Sequence, residues 1–296
     1  MTTSMLNIGN RVLVAAKKNT NVTNEGVTAI VPDPSKERVG DRLGSWPEPF
    51  AAMPTELTRV SLFSLIRRGR RKFMDWVVLE GRSDVTIKYF GKQLDQADAD
   101  LWLACLRMGR GTPMGQRIYT DKSSILREIG RNNSGASEAW LVDALKRLAG
   151  ASFLIELSRE GKKSMLTTGM LKWGLEKPSD RMFIRLDPDG AKLFDNLAYI
   201  GWEQRLALSS ASTKAIHMYI CGHKQGEGHF IAMASLMTWC GYEGRIRDFR
   251  CNVINALKEL EKLKVIHGGK ITDRPQGEVV SWVRCASKYT PSNQSK

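Results

Sequence analysis

Hydrophobic residues recur at helical spacing in a long segment of the last third of the chain. They are separated by three or four positions and are Ile246, Phe249, Val253, Leu257 and Leu260. This spacing places side chains on one face of an α-helix. The side chains that fall on the opposite face are Arg247, Cys251, Asn255, Lys258 and Lys262. The pattern predicts an amphipathic helix with one buried stripe and one polar face.

This helix belongs to a series of elements that occurs twice. Residues 124–130 align with 235–241, and residues 143–148 align with 255–260. Each copy predicts a helix, a short strand, a short helix ending at a glycine, a long helix, and two strands joined by a charged loop. The first helix and strand are predicted at 98–108 and 116–119 in one copy, and at 213–221 and 230–233 in the other. Two ordered matches indicate an internal repeat.

Helix, strand, helix, turn, helix, strand, wing and strand is the order of a winged helix-turn-helix. The sequence therefore predicts an α+β fold with two tandem winged-helix domains and a flexible N-terminal arm. The predicted segments are an arm at 1–45, a first winged-helix domain at 46–200, a second at 201–289, and a disordered tail at 290–296. Alternating stretches at 76–79 and 85–89 predict a further β-hairpin.

Length and charge narrow the class of protein. The chain has 296 residues, which is enough for two domains. Its 45 Lys and Arg exceed 31 Asp and Glu, for a net charge of +14. Such an excess favours a polyanionic partner. No apolar run approaches the ~18 residues of a membrane span, and no signal peptide is visible, so we expect a cytoplasmic protein without membrane contact.

Metal binding and catalysis are not favoured. The five cysteines are widely spaced and contain no C-x-x-C pair, which is typical of reduced thiols in a cytosol. One group could supply zinc ligands but lacks a second ligand pair: His217, Cys221, His223 and His229. The chain also lacks a G-x-x-x-x-G-K-[ST] phosphate loop and the common hydrolase motifs. We expect a non-enzymatic protein without a metal or cofactor.

The second copy carries the stronger candidate surface for DNA. Its candidate residues on the long helix and wing are Arg245, Arg247, Arg250, Asn255, Lys258, Lys270 and Arg274. In a winged helix this helix enters the major groove, where arginine suits guanine O6 and N7. The alternative is an ordinary solvated helix face, because lysine and arginine usually lie outside.

The first copy has a different face at the matching positions, which are Gly135, Glu138, Ala139, Asp143 and Lys146. Such a face would repel phosphate. We expect this copy to contact protein, or to touch only the DNA backbone. The candidates for backbone contact are Arg131, Asn132 and the predicted wing residues Arg159, Lys162 and Lys163. The basic run at 67–72 either adds phosphate contacts or forms a solvated loop.

A series of short motifs carries a family resemblance. In the first half they are Trp46-Pro47, Ala52-Met53-Pro54, Ser61-Leu62-Phe63, residues 85–89 and residues 112–115. In the second half they are Trp202-Glu203, Leu208-Ser209, Arg245 and Glu259-Leu260. In this order the chain resembles the TrfA family of plasmid replication initiators and, more distantly, the tandem winged-helix Rep initiators.

The resemblance implies that the protein binds direct repeats (iterons) at a plasmid origin, melts adjacent AT-rich DNA, and recruits host DnaA, DnaB helicase and the polymerase sliding clamp. It also implies a first domain that dimerises, with monomers occupying the iterons. One departure concerns the clamp, because residues 37–41 lack the family's clamp-binding segment. Residues 60–63 are either a substitute for it or an apolar anchor.

Two other functions remain open at this point. A transcriptional or partition regulator would use the same domains only to occupy an operator. An origin nuclease would need a metal-bound active site, which the sequence does not display.

Overall fold

The structure is a computed structural model that describes residues 43–66, 69–79, 81, 85–159, 162–178 and 181–286. Most of the predicted arm and the whole predicted tail lie outside these residues. The described chain begins three residues before the predicted end of the arm, with Leu43 already buried. Its backbone N–H donates to Thr112, and its carbonyl accepts from Gly111. Leu43 is therefore attached to the chain near residue 112, and the predicted end of the arm at residue 45 stays a prediction.

The first half of the described chain contains eleven strands and four α-helices. Its strands are β1 (Phe50–Pro54), β2 (Phe63–Ser64), β3 (Phe73–Leu79), β4 (Val85–Lys92), β5 (Leu94–Asp95), β6 (Ile118–Thr120), β7 (Ser152–Arg159), β8 (Lys162–Gly169), β9 (Leu171–Glu176), β10 (Arg181–Leu186) and β11 (Leu197–Gly201). Its helices are α1 (Thr55–Thr58), α2 (Gln96–Met108), α3 (Lys122–Glu128) and α4 (Gly135–Ala149). A 3-10 helix spans Pro188–Asp195.

The second half contains four α-helices and three strands among the described residues. The helices are α5 (Trp202–Ala207), α6 (Ala211–Cys221), α7 (Met233–Trp239) and α8 (Ile246–Lys262). The strands are β12 (Gly228–Ala232), β13 (Ile266–Thr272) and β14 (Val279–Arg284). The predicted order of elements is therefore present, with boundaries within a few residues of those expected. The mixed α+β class is confirmed.

Both glycines that were expected to end the short helices have left-handed backbones. Gly130 follows α3 with φ of 69°, and Gly241 follows α7 with φ of 60°. A residue without Cβ adopts this conformation at little cost. The space around Gly241 is also restricted, since a Cβ there would lie 2.5 Å from Oγ of Ser64. The turn before each long helix thus depends on a glycine.

Strand pairing corrects the predicted wing of the first copy. In the second copy, β12, β14 and β13 form one antiparallel sheet, so the short strand pairs with the hairpin that follows the long helix. In the first copy, the short strand β6 instead pairs with β10, in a sheet of order β6-β10-β9. The hairpin β7–β8 extends a different sheet, β3-β4-β7-β8, which contains the predicted hairpin β3–β4.

The reason for this difference is an additional hairpin in the first copy, β7–β8, which lies between α4 and the hairpin β9–β10. The hairpin β7–β8 is the first one after α4. The internal repeat therefore predicts that it forms the wing. Because β4 precedes the repeat and pairs with β7, it draws that hairpin into the four-stranded sheet. The next hairpin, β9–β10, then takes the place that β13–β14 occupies in the second copy.

Two hydrophobic clusters form the interior, and helix α6 contributes to both. Met218 and Cys221 belong to the first-half cluster, whereas Ile216 and Ile220 belong to the second. The second cluster also receives a side chain from the first half, because Leu65 packs against it. The backbone N–H of Leu65 donates to the carbonyl of Cys240 at 3.0 Å. The halves therefore share a packed junction, and the predicted domain boundary at residue 200 stays a prediction.

A buried ionic cluster lies at this junction. Arg205 of α5 is fully buried, and its Nε donates to Oδ1 of Asp100 in α2 at 2.8 Å. Lys214 of α6 donates to the other carboxylate oxygen of Asp100. A second guanidinium nitrogen of Arg205 donates to Oε1 of Gln96 at 2.8 Å. A buried charge is tolerated when it is paired and hydrogen-bonded. The carboxylate of Asp100 therefore compensates the buried charge of Arg205.

Candidate nucleic-acid interface

Helix α8 separates into the two predicted faces. Its buried residues are Phe249, Val253, Ala256, Leu257 and Leu260. All five predicted polar-face residues are exposed: Arg247, Cys251, Asn255, Lys258 and Lys262. The prediction for Ile246 is wrong, because its side chain is 49% exposed. Ile246 is the first residue of α8, and this end of the helix extends beyond the hydrophobic cluster.

The start of α8 departs from ordinary capping chemistry. Arg245 is the N-cap residue, and its side chain makes no capping hydrogen bond. Serine, threonine, aspartate or asparagine normally occupies this position, and a cation is unfavourable beside the positive end of a helix dipole. Arg245 and Arg247 are both exposed there. The first turn thus presents two exposed arginines and one exposed carboxylate, that of Asp248.

Arg250 is already engaged within the chain. Its Nε donates to Oε1 of Glu278, which directly precedes β14. The hydrogen bond and the charge of Glu278 raise the pKa of Arg250. This ion pair connects the flank of α8 to the loop end of the hairpin β13–β14, since Glu278 lies between the two strands. Arg250, which was predicted to contact DNA, therefore also holds the hairpin against the helix.

The hairpin β13–β14 places the second predicted wing at the surface. Lys270 and Arg274 are both exposed. The tip is closed by backbone hydrogen bonds between Arg274 and Gly277 in both directions. Arg274 lies 6.0 Å from the ring centre of Phe230, which is 72% exposed. Exposed cations therefore lie both on α8 and on the hairpin β13–β14 of the second half.

The start of α4 in the first half has ordinary capping. Ser134 is the N-cap, and its Oγ accepts from the N–H of Ser137. Oδ1 of Asn132 accepts from the hydroxyl of Ser137 at 2.7 Å. The guanidinium of Arg131 lies 3.7 Å from the ring centre of Trp140. Two predicted contacts of the DNA backbone, Arg131 and Asn132, therefore already stabilise the turn and the helix that follows.

The other first-half candidates occupy different elements from those predicted. Arg159 pairs with Lys162, and Ser158 with Lys163, in the backbone register of β7 and β8. These residues lie in the four-stranded sheet rather than in the sheet with β6. In the basic run, Arg71 pairs with Asp95 and Asp98, and residues 67 and 68 lie outside the described chain.

The suspected zinc ligands do not form a metal site in the described part of the chain. His217 is fully buried, and neither of its ring nitrogens has a hydrogen-bond partner among the described residues. His223 Nδ1 lies 2.9 Å from the carbonyl of Tyr219, and His229 Nε2 lies 2.9 Å from that of Lys224. Burial raises the pKa of the Cys221 thiol. No group of three or more metal-binding side chains occurs within the described ranges.

Residues 60–63 are packed in the interior. Leu62 and Phe63 are buried, and both belong to the first-half cluster. The carbonyl of Phe63 accepts a hydrogen bond from Nε2 of Gln96 at 2.6 Å. Of the two readings of this segment, the apolar anchor is the one that agrees with the structure. A substitute clamp-binding segment would need these side chains at the surface.

The sequence reasoning missed the hairpin β9–β10 as the counterpart of the second wing. Its signal was the alternation of Arg181, Phe183 and Arg185 with Met182, Ile184 and Leu186. Such alternation is typical of a strand with one buried face.

Among the described residues, no helix is long and apolar enough to cross a bilayer.

Comparison with known proteins identifies the family and a similar fold. The family model described as "TrfA protein" matches residues 39–274. A search of curated proteins finds no significant match. The crystal structure of domains 2 and 3 of RctB covers 79% of this chain and 99% of its own, with a TM-score of 0.53 and 12% identity.

A second structure of RctB domains 2–3 covers 75% of this chain and 95% of its own, with a TM-score of 0.47 and 11% identity. At these identities the first structure supports similarity of fold alone. The family match covers most of the chain and includes α8 and strand β13 of the candidate interface. The chain therefore belongs to the TrfA family of replication initiators.

Proposed function

We propose that this protein binds direct repeats (iterons) at a plasmid origin through its second half and promotes opening of the adjacent AT-rich DNA. The observation that carries the proposal is the exposed polar face of α8, which begins with Arg245 and Arg247. A helix of this kind can enter the major groove and present arginine, asparagine and lysine to base edges. The hairpin β13–β14 would contact phosphates beside the groove.

Arg245 supports this proposal in a way that exposed charge alone does not. A solvated helix face would be expected to have a stabilising cap at its start. Instead, the position holds a cation that makes no cap. Such local departures from stabilising chemistry are expected at functional sites. DNA phosphate at the start of α8 would convert this unfavourable cation into a favourable one.

We further propose that the first half provides protein contacts, including homodimerisation in equilibrium with monomers. Strand β3 pairs only with β4 among the described strands and forms an edge of its sheet. Four of its large apolar side chains are exposed: Phe73, Trp76, Val77 and Val78. An exposed apolar edge strand is a template for pairing with another chain. Host DnaA and DnaB helicase are proposed partners, and the sliding clamp is not assigned to residues 60–63.

The proposed work is differential binding rather than catalysis. Binding that favours opened origin DNA over closed DNA shifts the equilibrium without any bond being broken. The protein would act in the bacterial cytoplasm, where plasmid DNA is found. A transcriptional or partition regulator is the alternative, because it would use the same helix face only to occupy an operator.

A footprint on the supercoiled DNA of the protein's own replicon, with permanganate to detect unpaired thymines, tests the proposal. The expected result is protection of regularly spaced direct repeats together with new reactivity in a neighbouring AT-rich stretch. Protection of one inverted repeat over a promoter, without unpairing, would favour the regulator and overturn the initiator. The Arg247→Ala variant serves as the control for recognition by α8.

A further inference from the structure

The turns that precede the two long helices close with the same backbone hydrogen bonds. In each turn, the left-handed glycine and the residue after it donate their N–H groups to carbonyls of the short helix. These residues are Gly130 and Arg131 in the first half, and Gly241 and Tyr242 in the second. Because the backbones match, the two turns are best compared by the contacts that hold each of them in place.

The turn before α4 is held by residues of its own half. Ser134 caps the helix by accepting from the N–H of Ser137. The hydroxyl of Ser137 donates to Oδ1 of Asn132 at 2.7 Å, and the side-chain amide of Asn133 donates to Oγ of Ser123 at 3.0 Å. All of these residues are close together in the sequence, so the first-half turn is stabilised locally.

The turn before α8 is held by residues of the first half. Its last residue, Arg245, makes no capping hydrogen bond. The backbone N–H of Leu65 donates to the carbonyl of Cys240 at 3.0 Å, and the Leu65 side chain packs against the second-half cluster. Nζ of Lys72 donates to Oε1 of Glu243 at 2.6 Å. Distant residues thus support a turn that has no cap of its own.

Ser64 brings the first half directly against the backbone of this turn. A Cβ at Gly241 would lie 2.5 Å from Oγ and 3.0 Å from Cα of Ser64. A Cβ at Gly130 would meet no described atom within 4 Å apart from its chain neighbours. Ser64 is buried, donates to the carbonyl of Ser61 at 2.7 Å and lies in β2, which pairs with β5. The close approach therefore comes from a fixed part of the first half.

The turn is connected in its own half to the start of α8. The ring of Tyr242 lies 5.2 Å from the ring of Phe249, which is buried on the apolar stripe of α8. Glu243 lies two positions before Arg245. An unpaired carboxylate at this place would repel DNA phosphate, and the ion pair with Lys72 offsets its charge. Displacement of the turn would therefore change both the position and the charge of the helix start.

We propose that Ser64, Leu65 and Lys72 are positioning residues, which hold the turn before α8 in the conformation that reads DNA. The proposal rests on the proposed function and concerns the same interface. It gives the first half a role in base recognition that requires no contact with DNA. Base edges are recognised by hydrogen bonds of defined geometry, whereas non-specific binding depends on charge. A loosely held helix start should therefore reduce the preference for the direct repeat more than it reduces non-specific binding.

Leu65→Ala tests the packing contact, with Leu166→Ala as its matched control. Both leucines are partly buried, but Leu166 packs against the first-half cluster and lies in β8. Fluorescence anisotropy measures the ratio of affinities for a duplex with one direct repeat and for a scrambled duplex. Leu65→Ala should lower this ratio roughly tenfold, which is within the discrimination given by one bidentate base contact. Leu166→Ala should leave it almost unchanged.

The ion pair is tested by exchanging its charges. Lys72→Glu and Glu243→Lys should each lower the ratio by roughly twofold to fivefold, as expected for an exposed ion pair. The double variant Lys72→Glu/Glu243→Lys keeps the net charge and re-forms the pair, so it should restore the ratio. A double variant with no higher ratio than Lys72→Glu would overturn the positioning role of Lys72, since a direct contact of Lys72 with DNA would give that result.

Hydrogen exchange at residues 241–249 measures the turn without DNA. Exchange should be faster in Leu65→Ala than in wild type, and unchanged in Leu166→Ala. An unchanged exchange rate or affinity ratio in Leu65→Ala would overturn the proposal, as would equal losses in the two leucine variants. Failure of the proposed function is distinguishable, because wild type would then show no preference for the repeat while the difference in exchange would remain. Circular dichroism of each variant checks that the fold is retained.

Discussion

The two long helices, α4 and α8, occupy the same place in a repeated series of elements and present opposite surfaces. Helix α4 begins at Ser134, which caps it, and α8 begins at Arg245, which does not. The exposed residues of α4 include Gly135 and Asp143, whereas α8 exposes Arg247 and Asn255 at the corresponding places. The same backbone arrangement has therefore been optimised for stability in one half and for charge at the surface in the other.

Corresponding positions in the repeat therefore need not share surface chemistry. Both halves bury an apolar stripe on the long helix, because both need a core. Residues outside the stripe are free to differ, and here their charge changes sign. The departure from good capping marks the half in which the helix start is proposed to meet an anion.

The largest effect is expected at the junction that both halves share. Asp100→Ala should lower the free energy of unfolding by about 3–5 kcal/mol, because it leaves buried Arg205 without its carboxylate. The measurement is urea denaturation followed by tryptophan fluorescence. Asp143→Ala is the matched control on α4, where an exposed ion pair should contribute under about 1 kcal/mol. Similar losses in both variants would show that the buried cluster does not hold the halves together.

The next effect separates the two helix faces. Arg247→Ala should weaken specific DNA binding by about 1–3 kcal/mol if the side chain contacts a base. Lys258 and Lys146 occupy corresponding positions on α8 and α4, so they form a matched pair. Lys258→Ala should reduce the salt slope by about one, and Lys146→Ala should leave it almost unchanged. Equal responses of the pair would remove the distinction between the helices.

A pH effect should arise in the second half, since all four histidines follow residue 200. Burial lowers the pKa of His223 to about 3, and burial together with the charge of Arg205 holds the pKa of His217 well below its usual range. The unfolded chain then binds more protons than the folded chain below about pH 6.5. Stability should therefore be full above that pH and decline as the pH falls towards the folded pKa values.

The slope of this decline should not exceed about 1.4 kcal/mol per pH unit for each histidine. Chemical denaturation at several pH values measures it, and His223→Gln should flatten the curve. A curve that stays flat from about pH 7 to 5 would contradict the assigned burial of these two rings.

The smallest effect exchanges the two helix starts. Arg245→Ser should stabilise the protein by about 1 kcal/mol by adding a cap, and Ser134→Ala should destabilise it by a similar amount. DNA binding should respond in the other direction, weakening in Arg245→Ser and staying unchanged in Ser134→Ala. Thermal denaturation and anisotropy on the same samples measure both. If Arg245→Ser improved stability without loss of affinity, the cation would have no role at DNA.

Much of the fold could be predicted because the local signals are strong. The buried stripe of α8, the left-handed glycines at 130 and 241, and the hairpin β3–β4 all follow from spacing and backbone preference. Ile246 was mispredicted because periodicity continues to the end of a helix even where the core does not. The candidate site was predicted in part, since the polar face of α8 is exposed as expected.

The remaining residues could not be assigned from sequence because their partners are far away along the chain. Arg250 meets Glu278, and Arg131 stacks on Trp140. Neither contact has a spacing signal that distinguishes it from solvated charge. The contact between Arg117 and Phe183 was missed for the same reason, since these residues come together only through the pairing of β6 with β10.

The elements, their order, the repeat and the polarity of each helix face follow from the amino-acid sequence, because they depend on residues within a few positions of one another. The three-dimensional contacts settle which hairpin joins which sheet, which cations are already paired, and how the two halves share a junction. Strand pairing and ion pairing are contacts between distant segments. Their energies depend on burial and geometry, which no local pattern encodes.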